Sequence, residues 1–179
     1  MRIRDDFSKP ALLHFDDVDW VESPAPGVER KMLDRIGDEV ARATSFVRYA
    51  PGSEFDPHVH EMGEEFIVLE GVFSDEDGDY GPGTYVRNPP DSRHTPRSDG
   101  GCIIFVKLRQ FDEDDTRRCV ITPQMREWLP KSEGVEVCPM HGFGRMKVRL
   151  LRLASGCSFE VDTTGGAEVL VLEGSVRSV

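Results

Sequence analysis

The feature that most constrains the fold is a series of short β-type segments separated by glycine and proline between positions 40 and 110. Each segment is rich in β-branched or aromatic residues and ends at a turn residue, as strands do. Short strands at this spacing favour an antiparallel sandwich or barrel, so we predict an all-β fold. The predicted strands are 43–50, 65–70, 83–87 and 101–108.

An acidic run at residues 74–79 interrupts this series and contains an Asp-Gly pair. Its alternating Asp75, Asp77 and Asp79 are similar in spacing to the first ligands of an EF-hand. An EF-hand also needs flanking helices and a later bidentate Glu, whereas predicted strands flank this run. We therefore predict a tight β-hairpin here.

Charge and hydropathy exclude several kinds of partner. The 179 residues carry 22 Lys+Arg against 33 Asp+Glu, for a formal net charge of -11. Such a chain repels phosphate backbones and anionic lipid, so we expect no nucleic acid or membrane partner. The acidic start at Asp5 and Asp6 is unlike a signal peptide, and no apolar run reaches the roughly 18 residues of a membrane span. We expect a cytoplasmic protein with a small-molecule ligand or substrate.

Four cysteines are spaced without a Cys-x-x-Cys pair, which argues against a zinc knuckle or a dithiol motif. We predict that they are small, mostly buried apolar side chains outside any disulfide framework. His14 and His141 match no motif and are expected at the surface. As an alternative, His141 lies in a Cys-Pro-Met-His run at 138–141 that could bind a soft metal.

Three of the five histidines fall within the strand-rich region. His58 and His60 are two residues apart, so an extended chain places both imidazoles on one face. A carboxylate follows at Glu64 or Glu65, and His94 follows the predicted hairpin. Three neutral imidazoles and one carboxylate suit zinc or iron(II), with manganese and nickel as alternatives, and not calcium or magnesium.

Two glutamates compete for the role of the carboxylate ligand. Glu64 shares the even parity of His58 and His60, which favours it if the intervening turn preserves that parity. A β-bulge would instead assign the role to Glu65. The other glutamate would then support a ligand or point into solvent.

Two spaced patterns resemble the motifs of the cupin superfamily. The first is Gly-x5-His-x-His-x3-Glu-x6-Gly over residues 52–71, which matches at every fixed position. The second is Gly-x5-Pro-x-Asp-x2-His over residues 83–94. It departs where Asp91 replaces the usual Gly and where Ser98 replaces a frequent Asn, and neither position is a metal ligand.

Within the superfamily the sequence is similar to the ChrR-like cupin group. That group covers the cupin half of zinc-dependent anti-sigma factors, and acetylacetone-cleaving dioxygenases are related to it. The resemblance implies a double-stranded β-helix, or jelly-roll, barrel with one divalent metal inside, held by His58, His60, Glu64 and His94. It is carried by residues 63–71, 73–75, 83–90 and 101–102.

A weak internal repeat appears when residues 152–156 are laid over 48–52 and 168–174 over 65–71. Asp162 and Thr164 stand near the place of its histidines, so we expect a partial, degenerate second repeat with strands at 146–153 and 168–173. An incomplete repeat leaves strand edges to pair, which makes a homodimer plausible.

The predicted division is an N-terminal arm at 1–40, a metal-binding core at 41–111, an irregular linker at 112–145 and the partial repeat at 146–179.

Side chains that alternate along the predicted strands are candidates for the wall of the barrel cavity. Phe66 and Val68 share the parity of Glu64 and should face inward. Four further side chains could line or rim the cavity, although the two charged ones fit exposed strand positions better. These are Tyr85, Arg87, Phe105 and Lys107.

The functional expectations fall into two classes. The first is a metal-dependent dioxygenase acting on a small, β-diketone-like molecule. The resemblance to diketone-cleaving enzymes implies a site of three histidines alone, so the additional Glu64 weakens it. A non-catalytic, metal-bound sensor or ligand-binding module related to the ChrR stress response is the alternative. Direct sigma-factor binding is not expected, because only about 20 residues precede the cupin-like region and they lack a His/Cys zinc motif.

Overall fold

The computed structural model describes residues 1–177, which form seventeen β-strands, two single 3-10 turns and no α-helix. The predicted all-β fold is therefore confirmed, and none of these residues lies in a helix that could cross a membrane. The first strands are β1 (Arg2–Ile3), β2 (Val21–Glu22), β3 (Val28–Gly37), β4 (Ala41–Tyr49), β5 (Ser53–Glu54), β6 (His58–His60), β7 (Glu64–Gly71), β8 (Phe73–Asp75) and β9 (Gly78–Tyr80). They are followed by β10 (Tyr85–Asn88), β11 (Ser92–His94), β12 (Arg97–Ser98), β13 (Cys102–Leu108), β14 (Cys119–Ile121), β15 (Leu129–Ser132), β16 (Val135–Phe143) and β17 (Met146–Leu153), with 3-10 turns at Phe15–Asp17 and Pro123–Met125.

The strands form an antiparallel jelly roll. Its main sheet runs β1-β3-β4-β13-β7-β10-β14, with β2 paired to β3, and smaller sheets are formed by β5-β12-β8-β9 and by β11-β6. Strand β8 turns into β9 through the predicted hairpin, with Asp75 opposite Gly78. Because the main and smaller sheets both contribute apolar side chains, one core fills the space between them. Its members include Val47, Tyr49, Phe66, Val68, Phe73, Tyr80, Val86, Ile104 and Val106.

Strand β7 shows why the sequence alternates as it does. Phe66 and Val68 are 1% and 0% exposed and belong to the core, and each contributes about 2 kcal/mol by burial. Glu65 and Ile67 point to the opposite face, yet they are also buried. The outer face of this sheet is therefore covered by other parts of the chain.

Part of that cover is a fourth sheet, β15-β16-β17, which corrects the expectation of an irregular segment at 112–145. Strand β16 is nine residues long, and Cys138 and Met140 in it pack against Tyr85 of β10. The strand signal was obscured because Pro139 interrupts the alternation, and the register shifts between Pro139 and His141. Strand β17 lies at the predicted 146–153, whereas the division into domains stays a prediction.

The predicted strand at 168–173 is wrong. This segment forms no strand, although its sequence alternates in the manner of one. Val169 and Val171 are exposed, and the Glu168 carboxylate pairs with Lys107 on the outer face of β13. Strong β propensity does not produce a strand without a neighbouring edge that supplies hydrogen bonds.

Candidate metal centre

Two short strands bring the three histidines together. In β6 the alternation of an extended chain places His58 and His60 on one side and the exposed Val59 on the other. Strand β11 pairs with β6 so that His94 lies opposite His58. A separation of more than 30 residues in sequence is thus closed by one antiparallel pair.

The imidazoles converge on a common point. Each of His58, His60 and His94 offers a ring nitrogen, and these atoms lie within 4.8 Å of one another. The Nε2 atoms of His60 and His94 are 2.8 Å apart. Adjacent ligands of one ion at metal–nitrogen distances of about 2.0–2.1 Å lie roughly 3 Å apart, so this triad could hold a metal ion.

Glu64 lies beside this cluster. Its Oε2 atom is 3.5 Å from Nε2 of His60 and 3.5 Å from Nε2 of His94, and it accepts a hydrogen bond of 3.1 Å from the Asn88 amide. Burial alone would raise the pKa of this carboxyl group, but the two imidazoles and the amide together lower it below its ordinary value. The glutamate on the side of the histidines is therefore Glu64, as parity favoured, and its role as a ligand remains a prediction.

The imidazoles differ in their electrostatic surroundings. Burial lowers the pKa of His60. Burial also acts to lower the pKa of His94, but its hydrogen bond to Asp75 and the charges of Glu64 and Asp75 raise the pKa overall. Neither of these two buried carboxylates pairs with a lysine or arginine of the described residues. A divalent cation would balance their two negative charges, so the donor set fits a metal in charge as well as in spacing.

The outer ring nitrogens fix the direction of two of the imidazoles. His58 Nδ1 lies 2.8 Å from the backbone oxygen of Asp56, which can only accept, so Nδ1 carries the proton. His94 Nδ1 lies 3.3 Å from Asp75 Oδ2. A proton on each Nδ1 leaves each Nε2 free as a metal ligand.

The four side chains proposed to line or rim the cavity lie on the outer face instead. Tyr85 and Arg87 pair across the strands with Ile67 and Glu65, the outward residues of β7. Phe105 and Lys107 of β13 pair with the same two residues. Parity places all four on the face opposite Phe66 and Val68, which corrects their assignment to the cavity wall. The register between paired strands decides which face they take, and it is not encoded in any one strand alone.

Arg87 is also buried, with 0% exposure, so its interpretation as an exposed strand charge is wrong. Its guanidinium donates to Glu65 Oε2 at 2.8 Å and to the buried carboxylate of Asp115. The ring of Phe111 covers the guanidinium at 3.6 Å from the ring centroid. Glu65 therefore neither supports a histidine nor reaches solvent, because it belongs to a separate buried ion cluster.

His141 completes this ion cluster, and its expected surface position is wrong. Its Nε2 lies 2.8 Å from Asp115 Oδ2, and the residue is 6% exposed. The Cys138 thiol of the same run contacts Met140 Sδ at 3.7 Å. The His141 imidazole therefore faces Asp115, whereas the Cys138 thiol faces Met140. These side chains of the 138–141 run do not converge on one point as a soft-metal site would require.

Asp75 was missed as a partner of the metal centre. Its position in the acidic hairpin suggested only a comparison with the calcium ligands of an EF-hand. Its parity with the core residue Phe73 was the available signal, since both side chains of β8 point inward.

An antiparallel jelly roll that encloses a three-histidine cluster defines a cupin. The sequence model of the ChrR Cupin-like domain matches residues 8–112, more than half of the chain. The chain therefore belongs to the ChrR cupin-like family. No curated protein matches the chain.

Two solved structures share this fold. A candidate acetylacetone dioxygenase from Methylibium petroleiphilum PM1 aligns at 22% identity over 65% of this chain and 91% of its own, with a TM-score of 0.50. A candidate glyoxylate-induced protein from Pseudomonas aeruginosa aligns at 14% identity over 74% and 57%, with a TM-score of 0.54. The anti-sigma factor ChrR of Rhodobacter sphaeroides, solved with SigE, aligns at 25% identity over 53% and 51%, with a TM-score of 0.45.

Proposed function

We propose that this protein is a mononuclear divalent-metal cupin that binds or transforms a small organic molecule. The observation that carries the proposal is the convergence of the ring nitrogens of His58, His60 and His94 within 4.8 Å. Glu64 would complete the set as a fourth, anionic ligand. Nitrogen donors with one carboxylate favour zinc or iron(II), with manganese or nickel as alternatives.

The residues around the triad would shape the reaction. When bound, the metal would polarise an oxygen donor of an organic ligand. The Asn88 amide holds the Glu64 carboxylate in place at 3.1 Å. Phe73 and Phe55 flank the cluster, with ring centroids 6.0 Å from His94 and 5.8 Å from His58, so two of its sides are apolar.

The catalytic form of the proposal is a dioxygenase acting on a β-diketone. Its support is the family resemblance together with three imidazole ligands, which leave coordination positions open. A second form is a non-catalytic sensor or ligand-binding module. The observation in its favour is Glu64, because a carboxylate 3.5 Å from two imidazoles would occupy one of those open positions.

Metal analysis of the isolated protein tests the shared part of the proposal. We expect one divalent transition metal per chain in the native protein and none in His60→Ala. Absence of a bound metal after reconstitution with zinc and with iron(II) would overturn the proposal.

Oxygen uptake by the iron(II) form with acetylacetone then separates the two forms. Uptake that His60→Ala loses supports the enzyme, and stable metal binding without uptake supports the binding module.

A further inference from the structure

A second buried carboxylate lies behind the histidine cluster. Asp75 ends β8 and is 3% exposed. Its Oδ2 atom lies 3.3 Å from His94 Nδ1. Its Oδ1 atom accepts hydrogen bonds from the Tyr80 hydroxyl at 3.0 Å and from the backbone N–H of Asp77 at 2.9 Å. Both carboxylate oxygens are therefore occupied, and only one of them faces the cluster.

The hairpin is built to hold this carboxylate. A buried ionised carboxylate is costly unless hydrogen bonds or an opposite charge compensate it. Within residues 1–177, His94 is the only basic side chain that pairs with Asp75. The hydrogen bonds from Asp77 and Tyr80 come from the turn and the returning strand of the same hairpin, and the His94 ring faces the other carboxylate oxygen. Asp75 is thus held in a fixed position, with donors or an imidazole against both of its oxygens.

We propose that Asp75 is a positioning residue of the metal centre, which holds His94 with its proton on Nδ1, directs His94 Nε2 towards His60, and strengthens binding of a divalent cation by its charge. This inference rests on the proposed function, in which His58, His60, Glu64 and His94 hold that cation. A metal-ligating histidine commonly donates its other ring N–H to a carboxylate, which fixes its tautomer and raises its basicity.

The three histidines differ in this respect. His58 Nδ1 is held by a neutral backbone oxygen in a partly exposed strand. His60 Nδ1 makes no hydrogen bond with the described residues. Since only His94 faces a carboxylate through its outer nitrogen, the loss of Asp75 should alter one ligand specifically.

Tyr80 supports Asp75 from the far side. Its hydroxyl donates to Asp75 and accepts a hydrogen bond of 3.3 Å from Arg118. Removing this hydroxyl leaves the carboxylate and its bond to His94 in place. Tyr80→Phe should therefore weaken metal binding less than Asp75→Asn.

The test compares Asp75→Asn with Asp79→Asn. Asp79 lies in the same hairpin and its loss removes the same charge, but it is exposed and bonds Ser74 instead of a histidine. Zinc affinity, measured by competition with a chelator, should fall about 10- to 100-fold in Asp75→Asn and stay unchanged in Asp79→Asn. The visible spectrum of the cobalt(II) form should change in Asp75→Asn alone, which a simple loss of stability would not produce.

A measurement on the native protein keeps the inference falsifiable if Asp75→Asn does not fold. Nitrogen-15 NMR of the zinc form should show His94 protonated at Nδ1. Zinc binding through Nδ1, or equal affinity and spectra in folded Asp75→Asn and Asp79→Asn, would overturn the positioning role. A native protein that binds no zinc would instead overturn the proposed function, so the two failures are distinguishable.

Discussion

Glu64 and Glu65 are neighbours in β7, and their carboxylates serve different sites on opposite faces of the sheet. Glu64 Oε2 lies 3.5 Å from the Nε2 atoms of His60 and His94. Glu65 Oε2 accepts hydrogen bonds from the Tyr85 hydroxyl at 2.6 Å and from Arg87 at 2.8 Å. Two adjacent residues of one strand thus contribute to the candidate metal centre on one face and to the buried ion cluster on the other.

Glutamine substitutions at these two positions should have opposite effects. Glu64→Gln removes the anionic oxygen beside the histidines, so zinc affinity should fall at least about tenfold while the unfolding midpoint of the apo-protein changes little. Glu65→Gln leaves Arg87 with a single anion, so it should lower the free energy of unfolding by about 1–3 kcal/mol and keep zinc affinity. Chelator competition and urea denaturation measure the two effects. Weaker zinc binding in Glu65→Gln than in Glu64→Gln would contradict the assignment.

Loss of the central imidazole should abolish stoichiometric metal binding. His60 Nε2 lies 2.8 Å from His94 Nε2 and 3.5 Å from Glu64 Oε2, so His60→Ala removes the imidazole that both of these side chains face. The matched control is His14→Ala, since His14 is exposed in the N-terminal segment. Metal content per chain after reconstitution is the readout. Full occupancy in His60→Ala would show that the metal lies elsewhere.

The sheet β15-β16-β17 should depend on His141 for its attachment to the main sheet. His141 of β16 bonds Asp115, which in turn accepts from Arg87 of β10. His141→Ala leaves a buried carboxylate without one of its partners, and a loss of about 1–3 kcal/mol in the free energy of unfolding follows. Urea denaturation measures it, with His14→Ala again as the control. An unchanged midpoint would mean that apolar contacts such as that of Met140 with Tyr85 hold the sheet alone.

The parts of the fold that sequence predicts are those governed by local alternation. The histidine pair in β6, the inward side chains of β7 and the hairpin of β8 and β9 all follow from a period of two and from turn residues. The convergence of His94 on that pair needed the family motif, because register between distant strands is not written in either strand alone.

The parts that sequence misses depend on what covers each face. A strand charge such as Arg87 is usually expected in solvent, but Asp115 reaches it from a segment more than 25 residues away, and His141 in turn contacts Asp115. The segment 168–173 has the same β pattern as β7 and remains outside every sheet. Propensity gives the capacity to form a strand, and tertiary pairing decides whether one forms.

The tyrosines should resist ionisation in the folded protein. Burial, with the neighbouring Asp75 carboxylate, raises the pKa of Tyr80 from 10.0 to about 12. The pKa values of Tyr49 and Tyr85 are raised as well, chiefly by burial. Because the folded state holds these protons more tightly, their contribution to stability is present below pH 10 and is lost as pH rises towards 12.

Ultraviolet absorbance of phenolate during an alkaline titration measures this effect. The folded protein should show its first tyrosine step near pH 12, and Tyr80→Phe should remove that step. The denatured protein should titrate its tyrosines near pH 10. A tyrosine that ionises near pH 10 without unfolding would contradict the burial of these side chains.

Two glycines of the first motif should differ in their tolerance of alanine. Gly71 and Gly52 have positive φ angles of 69° and 75°, so alanine is strained at both by about 1–2 kcal/mol. At Gly71 an added Cβ would also lie 2.0 Å from the backbone oxygen of Gly101, where β7 meets β13, whereas at Gly52 nothing lies within 4 Å. Gly52→Ala therefore isolates the cost of the backbone conformation. We expect Gly71→Ala to cost about 1–3 kcal/mol more in the free energy of unfolding, because backbone must move to admit the methyl group. Equal losses in urea denaturation would show that the strands separate at this point without cost.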